Sequence, residues 1–137
     1  MNRTAETSLN NVSLMKRHWG IWLTLIFLVL PAALLAGYTW VTLHFAYSSG
    51  ERAGYVQKIS KKGWLCKTWE GELAMATLPG VIPQVFAFSV RDDAVADKIQ
   101  RAAGQRVALS YEQHLGVPTS CFGETEYFVT GVRPIGQ

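Results

Sequence analysis

The sequence predicts a mainly β protein: one N-terminal transmembrane helix, then a small five-stranded OB-like barrel with one short helix between strands 3 and 4. Three observations predict it. Residues 19–43 form one uncharged apolar run placed just after Lys16 and Arg17. Past residue 54 the apolar residues alternate instead of running on, the mark of half-buried strands. A single helical stripe, Val95, Ile99 and Ala102/Ala103, interrupts that alternation.

The apolar run holds 25 residues and as a helix would reach roughly 37 Å, against a bilayer core of about 30 Å. A water-soluble helix has no use for apolar side chains on every face. Pro31, Gly20 and Gly37 would weaken such a helix, whereas membrane spans tolerate them. Trp19 and Trp22 at one end, with Tyr38, Trp40 and Tyr47 toward the other, suit the two headgroup layers. Arg3, Lys16 and Arg17 against Glu6 precede the run, and only Glu51, Arg52 and Lys58 follow it closely. The positive-inside rule then predicts a cytoplasmic tail (1–18), an inner-membrane span (19–45) and a periplasmic domain. A cleaved signal peptide is the rival. It would put Leu34 where a small residue belongs, and apolarity continues through Phe45, so the anchor is the better reading. The polar tail reads as a disordered leader.

After the span, residues 46–54 read as a short polar linker and 55–137 as the folded domain. Strand one covers 55–60 and turns at Lys61-Lys62-Gly63. Strand two covers 65–75, with Trp69, Gly71, Leu73 and Met75 on one face and Thr68, Glu70, Glu72 and Ala74 on the other. A loop, 78–83, leads to strand three at 85–91, where Phe86, Phe88 and Val90 point together. Asp92-Asp93 can cap a helix running to about Ala103, and Gly104 stops it. Strand four is 107–113, with Val107, Leu109 and Tyr111 on one face. The 114–123 loop precedes strand five at 124–132, where Phe128, Thr130 and Val132 alternate against Tyr127 and Val129. This order is that of an OB-fold, whose helix closes one end of the barrel. An SH3-like barrel or open sandwich with the helix outside is the alternative.

Charge counts against one partner class. From residue 48 onward there are ten Lys/Arg and nine Asp/Glu, a net charge of +1. A nearly neutral domain lacks the electrostatic footprint of a nucleic-acid binder, so no nucleic acid is expected. Both cysteines, Cys66 and Cys121, fall in the exported part, where disulfides form. An OB topology sets the strand 1–2 loop beside the strand 4–5 loop and so brings these two residues together.

Three stretches carry a resemblance: Ser48-Ser49-Gly50-Glu51-Arg52-Ala53-Gly54-Tyr55-Val56, Lys67-Thr68-Trp69-Glu70-Gly71-Glu72-Leu73 and Ser120-Cys121-Phe122-Gly123-Glu124-Thr125-Glu126-Tyr127. The chain resembles, over most of 38–133, an uncharacterised family of small proteobacterial single-pass membrane proteins. That family supplies no catalytic residues to carry over. Its members sometimes bear the label 6-phosphogluconate dehydrogenase, which these residues do not support. No Gly-x-Gly-x-x-Gly follows a strand here, and about 90 residues cannot hold a dinucleotide fold with a substrate domain.

The most suggestive surface feature is Lys58, Lys61, Lys62, Trp64 and Lys67, four cations and an aromatic around the first turn. Such a rim suits an anionic or polymeric ligand; the bland account is a turn kept soluble by its charge. Cys121 with His114 suggests a thiol-dependent hydrolase, which needs a free thiol of low pKa. Two cysteines and His114 without close spacing do not make a metal site, and no cofactor motif is present. Glu70, Glu72, Glu124 and Glu126 read as solvent-facing strand positions, and Gly37, Thr39 and Thr42 as a small-residue cluster that would favour a homo-oligomer. The expectation is a non-enzymatic binding or scaffold module of the cell envelope. Its rim would contact another envelope protein or the lipid surface, with an oligosaccharide or nucleic-acid binder as the third reading.

Overall fold

No proline or glycine interrupts residues 3–17, so the helix that the apolar run favours extends back through them. In a computed structural model that describes residues 3–75 and 79–136, with side chains from residue 18 onward, helix α1 spans Arg3–His44. The expected disordered leader is thus helical from Arg3. Within His18–His44 an 18-residue window reaches a mean hydropathy of 2.2, and the length and composition of the segment suit a membrane span or an N-terminal signal sequence. The Thr39 hydroxyl donates to the Leu35 carbonyl of its own helix at 2.8 Å. Leu78, in the expected 78–83 loop, lies outside the described residues, as do the side chains of Arg3, Lys16 and Arg17.

The chain divides into two units, Met1–Trp40 and Val41–Gln137. In the second, strands β1 (Ser48–Lys62), β2 (Thr68–Met75), β3 (Val85–Val90), β4 (Arg106–Gln113) and β5 (Tyr127–Pro134) form one sheet. Helix α2 (Asp93–Arg101) falls between β3 and β4. The strand order is β1-β2-β3-β5-β4, and β4 returns to β1, so the sheet closes on itself. All pairings are antiparallel except the brief β3–β5 contact at Ser89 and Phe128.

Residues 48–54 are not a linker. They are the first half of β1 and pair with β4, from Ser48 opposite Gln113 to Tyr55 opposite Arg106. The second half of β1 pairs with β2, from Gly54 opposite Met75 to Lys62 opposite Thr68. Glycine and serine there suggest a joint, but tertiary contact requires the glycine: a Cβ on Gly54 would sit 2.3 Å from the Ala74 carbonyl oxygen. The real joint between α1 and β1 is residues 45–47.

Inward side chains follow the strand alternation: Val56, Leu73, Phe86, Phe88, Val90, Val107, Leu109 and Val129 meet in one core. Val95, Ala96 and Ile99 of α2 join it. Asp92 caps α2, its Oδ1 accepting from the Ala94 N–H at 2.8 Å. Gly104, at φ +77°, turns the chain and donates its N–H to the Val56 carbonyl at 2.9 Å.

Two expected strand segments and one register differ from the alternation. Residues 65–67 and 124–126 are loop, because the cysteine bridge and side-chain bonds hold them in place of ladder partners. In β5 the register shifts opposite Ser110/Tyr111, so Thr130 is left unpaired and exposed. That bulge lets Tyr127, Val129 and Val132 all face the core, a set no strict period of two would group.

Candidate functional site

The β1–β2 loop begins with a residue that only glycine can supply. Gly63 has φ +122°, and a Cβ there would lie 1.7 Å from the Cys66 carbonyl oxygen. This turn carries Cys66 into a disulfide with Cys121 of the β4–β5 loop, with Cα atoms 4.9 Å apart. Trp64 and Leu65, between glycine and cysteine, are left uncovered, at 101% and 91% exposed. The two loops therefore make one stapled rim with an uncovered apolar tip.

The five rim residues divide into different roles. Lys61 Nζ lies 3.3 Å from Asp93 Oδ1 and 5.2 Å above the Trp69 ring. Lys62 Nζ lies 3.7 Å from Glu124 Oε2. Both lysines thus have partners within the fold. Lys58 and Lys67 are exposed and have no ion pair among the described residues. Beneath the tip is a cleft of about 180 Å³, lined by Lys61, Lys67, Trp69, Arg91, Asp93 and Phe122, with Cys121 at its edge. Arg91 packs its guanidinium 6.0 Å above Phe122 and 5.9 Å above Phe128. Three cations against one acid make the cleft a place for an anionic group. Phe122 falls in the 114–123 loop that was expected to complete the rim, whereas Leu65 and Arg91 were not legible as rim residues; an apolar Trp-Leu pair between Gly63 and Cys66 was the available signal for the first.

Asp93 organises this cleft. It accepts from the Trp69 indole Nε1–H at 2.6 Å, and that bond, with the Lys61 bond and charge, holds its carboxyl below 3.8. A depressed carboxyl stabilises the fold above its unfolded pKa and loses that contribution as pH falls through the folded value. The Trp69–Asp93 bond should therefore survive at pH 3.8, where a free aspartate is half protonated, and break only below it. The Trp69 indole N–H resonance followed against pH reads this directly; a midpoint at or above 3.8 contradicts it.

Glu70 is no surface acid. It is 6% exposed and accepts from the Thr68 hydroxyl at 2.8 Å, the Ser89 hydroxyl at 2.6 Å and the Glu124 N–H at 3.0 Å. It thereby ties β2, β3 and the β4–β5 loop together. The shallow recess beside it, with Lys58, Lys62, Glu72 and Thr125, measures about 60 Å³, room for little more than water.

The Cys121–His114 pair is not assembled for thiol chemistry. Cys121 is in the disulfide. His114 is buried, and its Nδ1 lies 2.8 Å from the Thr42 carbonyl oxygen. A carbonyl only accepts, so Nδ1 carries the hydrogen. Nε2 faces Glu112 Oε2 at 3.4 Å. Among the described residues no group of three or more His, Cys, Asp or Glu could hold a metal ion.

At the other end of the barrel, Arg52 stands 4.5 Å above Phe86, 5.6 Å above Tyr111 and 5.9 Å above Tyr127, with Nη1 3.5 Å from Met75 Sδ. Aromatic faces thus replace a carboxylate partner. Nothing in the linker-like sequence around Arg52 indicated this.

No curated protein matches the chain. Residues 46–135 match a family model described as a domain of unknown function, DUF8785, and these residues include every strand, α2 and the stapled rim. That match covers more than half of the chain, which therefore belongs to the DUF8785 family.

Proposed function

We propose that the chain is a non-enzymatic binding or scaffold module of the bacterial cell envelope, anchored by one span with an OB-like barrel on the periplasmic side of the inner membrane. The strand order, with a helix between the third and fourth strands, supports the OB reading. The disulfide suits an oxidising compartment, in agreement with the cationic flank ahead of the span. One observation carries the functional reading: the bridge holds the loop that exposes Trp64 and Leu65, with unpaired Lys67 next to Cys66 and unpaired Lys58 farther back on β1. A rigid aromatic anchor among cations fits an envelope protein that offers an apolar recess bordered by carboxylates. The lipid surface is the other contact such a rim can make.

The test is a photo-reactive residue placed at Leu65 in cells. A discrete adduct is expected, and Lys58→Glu with Lys67→Glu should reduce it several-fold without unfolding the barrel. Gln100, exposed on α2, serves as the reference position. If Leu65 yields no more adduct than Gln100, the rim is only a soluble turn. A lipid-sized adduct would move the contact to the membrane.

A further inference from the structure

Antiparallel pairing decides which loops share an end of the barrel. β1 begins at Ser48, opposite Gln113 at the finish of β4. β2 runs back along β1 and reaches Met75 opposite Gly54, and β3 departs from Val85 beside Ala74. The β2–β3 loop therefore belongs to the end of the barrel where the chain arrives from α1, and the Trp64–Leu65 tip to the far end of β1. The near end is fastened to the last turn of α1. His114 Nδ1 donates to the Thr42 carbonyl and the Tyr47 N–H to the Gln113 carbonyl, each at 2.8 Å. Three joint residues, 45–47, can span only about 10 Å.

The β2–β3 loop differs from the other loops in its chemistry. No charged residue occurs anywhere from Leu73 to Val90. Met75 N–H donates to the Gln84 carbonyl at 2.9 Å and closes the neck of the loop. Beyond that neck Val81 and Ile82 are 57% and 86% exposed. Phe45, Tyr47 and Leu115, near the same end, are also exposed. The stapled rim by contrast carries four lysines. A protein partner would be met by a polar border around an apolar centre. The acyl side of the headgroup boundary needs no such border and disfavours charge, while cations are accepted only at the headgroups.

We propose that Val81 and Ile82 of the β2–β3 loop make a second membrane contact by entering the boundary layer of the bilayer that α1 spans. This rests on the reading of α1 as a span. Two aliphatic side chains bind a bilayer only marginally on their own, but a three-residue joint makes their insertion intramolecular.

The experiment uses the full chain in lipid nanodiscs with the native bridge intact and one nitroxide, introduced by Ile82→Cys, Leu65→Cys or Val29→Cys in turn. Collision rates with oxygen, which partitions into lipid, and with a water-soluble nickel chelate report depth. The label at 82 should favour oxygen as the one at 29 does, and the label at 65 should favour nickel. Nickel access at 82 equal to that at 65 overturns the loop contact while leaving the span intact. Low access to both reagents at 82 means a protein covers the loop, and also overturns it. Nickel access at 29 overturns the span reading, and the loop contact with it. Val81→Asp, a change at an exposed position, should raise nickel access at 82 several-fold.

Discussion

Removing the Cys66–Cys121 bridge is expected to lower the barrel's stability by about 4 kcal/mol, because the bridge closes a loop of 55 residues in the unfolded chain. Domains of this size are stable by only about 5–15 kcal/mol, so the loss is a large share of the total. For roughly 90 residues it corresponds to a fall in melting temperature of at least about 15 °C. Replacing both cysteines by alanine and comparing urea unfolding of the oxidised parent and the variant measures it. A difference below about 1 kcal/mol would mean that the folded loops, and not chain entropy, set the cost. The same variant should loosen the rim. Gly63 still turns the chain, but nothing then ties Trp64 and Leu65 to the β4–β5 loop.

Glu70→Ala is expected to cost about 3 kcal/mol, the scale for removing a buried side-chain acceptor from several donors. The Ser89 hydroxyl, fully buried, keeps the Thr125 hydroxyl at 2.8 Å, but the Glu124 N–H loses its acceptor. Glu70→Gln should cost roughly half as much, since one amide oxygen remains to accept while the NH2 meets groups that already donate. Amide exchange at Glu124 should quicken in both variants, with the alanine variant faster. Near-parental urea unfolding of Glu70→Ala would show that water takes over all three bonds. A loss of stability without faster exchange at Glu124 would place the effect in β2 and β3 alone.

The parts of this fold that were legible are those where one residue type answers to one physical demand. Phe86, Phe88 and Val90 alternate because a strand has two faces, and all three are buried. Asp92 and Gly104 bracket α2 because helix ends need an acceptor at the start and a positive φ at the finish. Two cysteines in a small domain point to a bridge by their number, and they form one. Residues whose role depends on a partner distant in sequence were not legible. Glu70 and Glu72 look alike in an alternating strand, yet Glu70 is held by Ser89 and Glu124, 19 and 54 residues away. Ser48 to Gly54 looks like a linker because Gly50 and Gly54 lack side chains. Tyr111 and the backbone of Ala74 occupy the space those side chains would need.

The sequence by itself determined the apolar helix, the order of strands and helix along the chain, and the cationic and aromatic character of the first turn. These follow from hydropathy, periodicity and local turn requirements, all of which act within a few neighbouring residues. Only the tertiary structure decided where charge and apolar surface remain uncompensated. Lys61 and Lys62 find acids on α2 and the β4–β5 loop, while Lys58 and Lys67 do not. Trp64 and Leu65 stay exposed although residues of their kind elsewhere are core. Burial and pairing are properties of contacts between distant segments, and closing the sheet through β1 and β4 is what sets those contacts.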